Sequence, residues 1–135
     1  MTLLEDKITA LIRVSTSGAS QLSQTMVYQA MCTPEYTEEK RQKYEILKAR
    51  ARKVREVVYS PRYEELWEVY PFHAGYFMCI RLKNGNADAI RLRLLDEHGI
   101  GVVSLGDSDL RIAFSCVEES DIQSLFDTIA QATAV

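Results

Sequence analysis

The chain has 135 residues, a formal net charge of -3 and a hydrophobic fraction of 47%. That length and composition are typical of one globular domain with a substantial core. The small negative charge gives no general attraction to nucleic acid, and no apolar run approaches the roughly 20 residues that a membrane-spanning helix needs. Acidic residues near the N-terminus stand where a secretory signal has basic ones. We therefore expect a cytoplasmic protein that has neither nucleic acid nor a membrane as a partner.

The N-terminal part of the sequence predicts three helices. Apolar residues at helical spacing mark residues 3–14 and 19–32, and Pro34 ends the second helix because the residue before a proline disfavours helical geometry. A long third helix begins near Pro34 or Thr37 and continues to residue 59. One face of it carries an apolar stripe formed by Tyr44, Leu47, Ala51, Val54 and Val58.

The third helix also carries half of the basic residues of the chain, namely Lys40, Arg41, Lys43, Lys48, Arg50, Arg52, Lys53 and Arg55. A nucleic-acid surface is one interpretation of such a run. We favour a solvated helix face, because glutamates interleave with the bases and no aromatic residues alternate with them.

The remaining sequence predicts, in chain order, a connector over 63–70, a strand over 75–82, a helix over 87–98, strands over 100–103 and 109–115, and a final helix. Asn86 and Gly99 are suited to cap the middle helix, and Ser115 with Glu118 forms a capping-box pattern before the last one. This order predicts an α+β fold (an α/β sandwich). A small mixed or antiparallel sheet is covered by helices and preceded by the long helix.

Cysteine and histidine give no sign of a metal site or a nucleophile. Cys32, Cys79 and Cys116 are far apart and include no C-x-x-C pair, which predicts buried free thiols. Neither His73 nor His98 has a metal-binding or catalytic spacing, and the sequence contains no G-x-S-x-G, H-E-x-x-H or P-loop pattern. We therefore expect no metal site and no catalytic residue in this chain.

Arg111 is the most informative single residue, because it interrupts the apolar segment 110–114. A guanidinium keeps its charge, is costly to bury unpaired, and binds a carboxylate or phosphate through two parallel hydrogen bonds. From the pattern alone we expect Arg111 to form an internal salt bridge, because structural ion pairs are the commoner use of such an arginine. The alternative is that Arg111 binds an anionic ligand.

Three segments resemble the class I/II aminotransferases, the fold-type I enzymes that depend on pyridoxal phosphate. Residues 75–82 resemble the strand that opens their small C-terminal domain, 94–102 their helix-glycine-strand segment, and 110–115 their late strand, in matching order and spacing. The resemblance covers essentially the whole chain but only the C-terminal part of the family. It implies a helical segment, 1–33, that packs on a large domain, and a small domain, 34–135.

The resemblance also implies roles for five residues in substrate binding. Arg111 matches the arginine that grips the α-carboxylate of the substrate, and this role now outweighs the internal salt bridge. Phe72, His73 and Gly75 match the loop beside the substrate side chain, with a core aromatic and an ordinary loop glycine as the alternatives. Arg13 resembles an arginine that reaches the partner subunit's site, while a helix-terminal arginine facing carbonyls or solvent is the plainer interpretation.

The family's Schiff-base lysine lies in a large-domain loop that the resemblance does not cover. The lysines of this chain lie on helix faces or in a turn: Lys7, Lys40, Lys43, Lys48, Lys53 and Lys83. We therefore expect a C-terminal fragment of an aminotransferase that is inactive alone and binds no pyridoxal phosphate by itself. The intact enzyme would use that cofactor to transfer an amino group between an amino acid and a 2-oxo acid, as a homodimer. A free-standing binding or interaction module with the same fold and no catalysis is the alternative.

Overall fold

The computed structural model describes residues 2–18, 20–73 and 75–133. Contacts between residues divide the chain into two units, Met1–Gln42 and Lys43–Val135. The predicted division into 1–33 and 34–135 concerns packing on another domain, and it stays a prediction. No helix of the described residues is long and apolar enough to cross a membrane.

The first unit is helical. Helix α1 covers Leu3–Ser15 and begins with a capping box between Thr2 and Glu5, while helix α2 covers Gln21–Met31 and is capped by Ser20. Both predicted helices are confirmed, apart from Ala19, which lies outside the described residues. Neither helix buries a residue within its unit, so the apolar side chains of both are exposed.

The long predicted helix is confirmed as α3, Tyr36–Val58. Its apolar stripe is buried only towards its C-terminal end, where Val54, Val57 and Val58 enter the core. Tyr44 is 59% exposed, so the predicted stripe does not serve the core along its whole length.

The second unit is built on a four-stranded sheet in the order β1-β2-β4-β3. The strands are β1 Trp67–Val69, β2 Met78–Leu82, β3 Val103–Leu105 and β4 Asp109–Ile112, and all three pairings are antiparallel. Helix α4, Ala87–His98, connects β2 to β3, and helix α5, Ile122–Thr133, follows β4. Single 3-10 turns cover Pro61–Tyr63, Phe114–Cys116 and Glu119–Asp121. The predicted α+β class is confirmed, and the sheet is antiparallel.

The side chains of β2 and β4 alternate between a covered and an open face of the sheet. Met78, Ile80, Leu110 and Ile112 are buried, and they join one core with side chains of α3, α4 and α5. The intervening residues of both strands are half-buried or exposed. One face of the sheet is therefore covered by helices, and the other is open.

Several strand boundaries differ from the prediction because the extent of a short strand depends on the residues with which it pairs. Strand β1 lies inside the predicted connector, where Trp67 pairs with Leu82, and β2 begins at Met78 rather than at residue 75. The strand predicted over 100–103 is β3, and it begins only at Val103. The buried side chain of Val102 contributes to the core just before that strand.

The predicted cap of the last helix is wrong. Ser115 lies in a 3-10 turn, and Glu118 pairs with Arg50 at 2.8 Å, so α5 begins only at Ile122. The predicted burial of the thiols is also wrong. Cys32 and Cys116 are exposed and Cys79 is half-buried, although all three are free.

Candidate functional site

The open face of the sheet places charged and polar side chains of neighbouring strands side by side. The register sets Cys79 directly opposite Arg111, and Arg81 directly opposite Asp109, across the β2–β4 pair. Directly opposed side chains of an antiparallel pair have Cβ atoms about 4.5–5.5 Å apart. The period of two along each strand therefore gathers these four side chains on one surface.

Arg111 lies on this face and has no carboxylate partner among the described residues. It is half-buried, and its Nε atom is buried and has no hydrogen-bond partner among the described residues. Its guanidinium lies over the ring of Phe77, 5.0 Å from the centroid. The internal salt bridge that the sequence pattern alone favoured does not form within the described part of the chain. An orphaned buried donor costs about 1–3 kcal/mol, so this arrangement is suited to an anion from outside.

The neighbouring acid on the same strand, Asp109, is occupied by other partners. Its Oδ1 accepts from Nε of Arg81 at 3.3 Å, and its Oδ2 accepts from the hydroxyl of Tyr70 at 3.2 Å. The guanidinium of Arg81 also donates to that hydroxyl, and its hydrogen bond with Asp109 raises the pKa of Arg81. Because Arg81 and Tyr70 hold this carboxylate, Asp109 does not pair with Arg111.

Cys79 does not compensate the charge of Arg111 either. Burial raises the pKa of the Cys79 thiol, and Arg111 lowers it by a smaller amount. The thiol is therefore protonated at neutral pH, so it offers Arg111 no negative charge.

A cavity of about 500 Å³ lies near Arg111 on the open face, although Arg111 itself does not line it. Phe72, His73, Phe77, Cys79 and Leu105 are among its lining residues. Phe77 and Cys79 are also the neighbours of Arg111, so the cavity and the guanidinium share a wall. Phe72 and His73, which the resemblance places beside the substrate side chain, also line this cavity.

The backbone conformation at position 75, and not close packing, favours a glycine there. Its φ of 102° is one that side-chain-bearing residues rarely adopt, and no atom lies within 4 Å of a Cβ built on it. It does not line the cavity beside Arg111. The preceding residue, Ala74, lies outside the described residues.

Arg13 belongs to the first unit, near the C-terminal end of α1. Its carbonyl accepts from the hydroxyl of Ser17 at 3.5 Å, and its guanidinium has no ion pair among the described residues. Its predicted role in a partner subunit's site stays a prediction.

Sequence reasoning missed Arg55, which holds the loop that leads into β2. Its Nη2 donates to the carbonyl of Phe72 at 2.7 Å and lies 3.4 Å from Nδ1 of His73, and its guanidinium lies over the Phe72 ring. The Phe72 ring in turn packs against buried Phe114, with centroids 6.0 Å apart. The basic run on α3 gave no sign of this contact, because the loop partner is distant in sequence.

Replacing Arg55 with glutamine is expected to loosen this loop while the core stays folded. The variant loses a charge-assisted hydrogen bond and a cation–π contact, together about 1 kcal/mol at an exposed site. Backbone order parameters at Phe72 and His73, from NMR relaxation, should fall, and Arg55→Lys should restore only part of the loss. Lys53→Gln, on the same helix, is the matched control. Order parameters that do not change in Arg55→Gln would contradict the assignment.

Comparison with known proteins gives a family match over nearly the whole chain. The family model for aminotransferases of class I and II matches residues 4–129. No curated protein matches the sequence.

Solved structures share the fold at low sequence identity. The chain is similar to LysN, an alpha-aminoadipate aminotransferase from Thermus thermophilus, with a TM-score of 0.74 and 15% identity over 96% of this chain. That protein was solved in complex with N-(5'-phosphopyridoxyl)-L-leucine. An aminotransferase from Anaerococcus prevotii gives a TM-score of 0.69 and 20% identity over 98% of the chain. An archaeal alanine:glyoxylate aminotransferase gives a TM-score of 0.56 and 16% identity, covering 65% of this chain and 24% of that one.

The chain spans only 35% and 31% of the first two of these proteins. Their likeness shows the fold, and the family match covers the helical segment, the sheet and Arg111 together. On this evidence the chain belongs to the class I and II aminotransferases, a family that depends on pyridoxal phosphate.

Proposed function

We propose that this chain supplies the carboxylate-binding part of an aminotransferase, with Arg111 binding the α-carboxylate of the amino acid and of the 2-oxo acid. The observation that carries the proposal is the buried Nε of Arg111, which has no partner among the described residues. A carboxylate that accepts from Nε and from one Nη atom would satisfy that donor and neutralise the charge. The family match favours this component of an enzyme over a free-standing binding module.

The surroundings of Arg111 are suited to orienting a small ligand. Phe77 lies under the guanidinium, and this limits the planes that the guanidinium can adopt. Partial burial strengthens the ion pair relative to bulk water. A ligand held by two parallel hydrogen bonds has a fixed orientation, which is the main contribution that binding makes to a transfer reaction.

The cavity beside Arg111 would then take the side chain of the ligand. Phe72, Phe77 and Leu105 give it apolar walls, and His73 adds a polar edge. Since the loop carrying Phe72 and His73 is held by Arg55, we propose that Arg55 positions this wall.

Pyridoxal phosphate would supply the electron sink for amino-group transfer, and the protein must give it a lysine and a partner for the ring nitrogen. The described residues do not fit this group. None of the six lysines lines the cavity beside Arg111, and Asp109, the acid that does, already accepts from Arg81 and Tyr70. We therefore propose that polypeptide outside the described residues holds the cofactor, and that this chain alone transfers no amino group.

Titration of the chain with pyruvate, followed through the arginine Nε–H signals in NMR spectra, tests the carboxylate site. We expect one arginine signal to shift saturably, and Arg111→Lys to weaken binding by at least about tenfold, because a lysine cannot make the bidentate contact. Arg91→Lys, which changes an arginine paired with Asp88 on α4, is the matched control.

Acetone, which keeps the ketone of pyruvate but lacks the carboxylate, should cause no saturable shift. If Arg111→Lys binds pyruvate as well as the unchanged chain does, Arg111 is not the carboxylate ligand and the proposal fails.

We also propose that the chain associates through its first unit, as part of a homodimer. Leu3, Leu11, Val14 and Leu22 are 67–88% exposed on α1 and α2, and exposed apolar side chains that gather on one surface mark interaction sites. Sedimentation should show concentration-dependent association, and Leu11→Glu combined with Leu22→Glu should weaken it. A strictly monomeric species at high concentration would contradict the idea.

The cytoplasmic location stays a prediction.

A further inference from the structure

A cavity of about 620 Å³ lies on the helix-covered side of the sheet, between the segment that leads into β3, the end of β4 and helix α5. We call it the α5 cavity. Its volume is within the range of small-molecule sites. It shares no lining residue with the cavity near Arg111, whose side chain lies on the opposite, open face of the sheet. The α5 cavity is therefore separate from the proposed carboxylate site.

The floor and walls of the α5 cavity are aliphatic. Val102 and Ile112 are 9% and 2% exposed, so the floor of the cavity is the edge of the hydrophobic core. Half-buried Ile100, Val117 and Leu125 extend this apolar surface towards solvent. Neither an aromatic ring nor a basic side chain is among the lining residues. The cavity is therefore suited to the aliphatic part of a ligand and has no group that would bind an anion.

One side of the α5 cavity carries a carboxylate and two hydroxyls. Asp121 directly precedes α5, and Ser124 and Thr128 follow it by three and seven positions, so the three residues lie on one helix face. Among the described residues, the Asp121 carboxylate accepts only from the hydroxyl of Ser120, at 3.0 Å, and it has no ion pair. The Thr128 hydroxyl donates to the carbonyl of Ser124 at 2.9 Å, so its oxygen can still accept. This side therefore offers a negative charge and hydrogen-bond acceptors.

We propose that the α5 cavity is a binding site for a small aliphatic amine. An ammonium group has one positive charge and three donors, which match the carboxylate of Asp121 and the neighbouring hydroxyl oxygens. The alkyl part of the amine would cover the apolar floor formed by Val102 and Ile112. A free amino acid does not fit, because its carboxylate would lie near Asp121 with no basic side chain to bind it. The site uses no residue that the proposed amino-group transfer needs.

A thiol inside the α5 cavity reports whether the cavity is occupied. Cys116 lines the cavity and is an exposed free thiol, while Cys32, equally exposed at the end of α2, does not line it. The rate at which iodoacetamide alkylates each thiol can be followed by mass spectrometry of its peptide. Saturating hexylamine should slow alkylation of Cys116 by at least about threefold and leave Cys32 unchanged.

Two further probes separate the charge of the ligand from its alkyl chain. 1-Hexanol keeps the chain but lacks the ammonium, and it should need an about threefold higher concentration for half-maximal protection, as expected for a largely exposed ion pair. Norleucine adds a carboxylate to an alkyl amine and should not protect Cys116. If norleucine protects Cys116 as hexylamine does, the site binds amino acids and the proposal fails.

Asp121→Asn removes the charge and keeps the size of the side chain. It should raise the hexylamine concentration for half-maximal protection about threefold and leave that for 1-hexanol unchanged. Asp96→Asn, at an exposed position of α4 that does not line the cavity, makes the same change in net charge and is the matched control. An equal effect of the two variants on hexylamine would overturn the proposal, because the effect is then one of net charge.

Gly101→Leu tests whether the ligand lies in the cavity. Gly101 lines the cavity, and no atom lies within 4 Å of a Cβ built on it, so a larger side chain should narrow the cavity without disturbing the core. Circular dichroism should show this variant folded, and neither hexylamine nor 1-hexanol should protect Cys116 in it. Arg111→Lys should leave protection unchanged, so the outcome is independent of the carboxylate site. The proposal is also overturned if hexylamine protects Cys32 as well as Cys116, or protects neither.

Discussion

Phe126→Ala is expected to remove about 3–5 kcal/mol from the free energy of unfolding, the largest loss that we expect from one substitution in this chain. Phe126 is fully buried on α5, and its ring meets that of Trp67 with centroids 6.2 Å apart and planes at 52°. Its removal opens a cavity between the helix layer and the covered face of the sheet. Since a domain of this size is stable by only about 5–15 kcal/mol, the variant should be near its unfolding limit.

Urea unfolding followed by circular dichroism measures this loss. Tyr59→Ala removes an aromatic side chain that is 59% exposed just after α3, and it should change the free energy of unfolding by less than about 0.5 kcal/mol. Equal losses in the two variants would show that the helix layer does not pack on the sheet as described.

The helices could be predicted because their signals are local. The side chain of Asn86 accepts from the backbone amides of Asp88 and Ala89 at the start of α4, and Gly99 takes a left-handed φ of 66° at its end. Both caps involve only residues within one turn of the helix end, so the local sequence is enough to predict them.

The short strands and the details of the site depend on partners that are distant in sequence. Strand β1 has three residues and exists because Trp67 pairs with Leu82 across a loop. Arg111 has no acid partner in the described part of the chain because Arg81, on a different strand, holds Asp109. Alternation along β4 could place Arg111 on a face of the sheet, but the pattern could not show which acid Arg81 binds.

The buried hydroxyl of Tyr63 makes the stability of the same core depend on pH in the alkaline range. It is 1% exposed and stacks on Trp67 with centroids 4.7 Å apart. Its hydroxyl donates to Oδ1 of Asp127 at 2.6 Å and accepts from Nε2 of Gln123 at 3.0 Å. Burial, followed by the hydrogen bond to Asp127, raises the pKa of Tyr63 to about 12. The folded state therefore favours the neutral phenol more strongly than the unfolded state does.

This difference predicts how stability falls at high pH. The contribution of Tyr63 is fully present below pH 10, where the unfolded chain also holds the proton, and it is lost as the pH rises through about 12. A shift of about two units corresponds to roughly 2–3 kcal/mol. Tyr63→Phe loses the hydrogen bonds to Asp127 and from Gln123 but has no proton to release. The difference in unfolding free energy between the two chains should therefore shrink or reverse across this range.

Urea unfolding of both chains at pH 8 and at intervals up to pH 12 measures that difference. Ile129→Val is the control matched for stability, because it costs about 0.5–1.5 kcal/mol without removing an ionisable group. Its difference from the unchanged chain should stay constant over the range. If the Tyr63→Phe difference is as constant as that of Ile129→Val, the phenol does not titrate differently in the folded state. The hydrogen bond to Asp127 would then contribute only its ordinary, pH-independent share of stability.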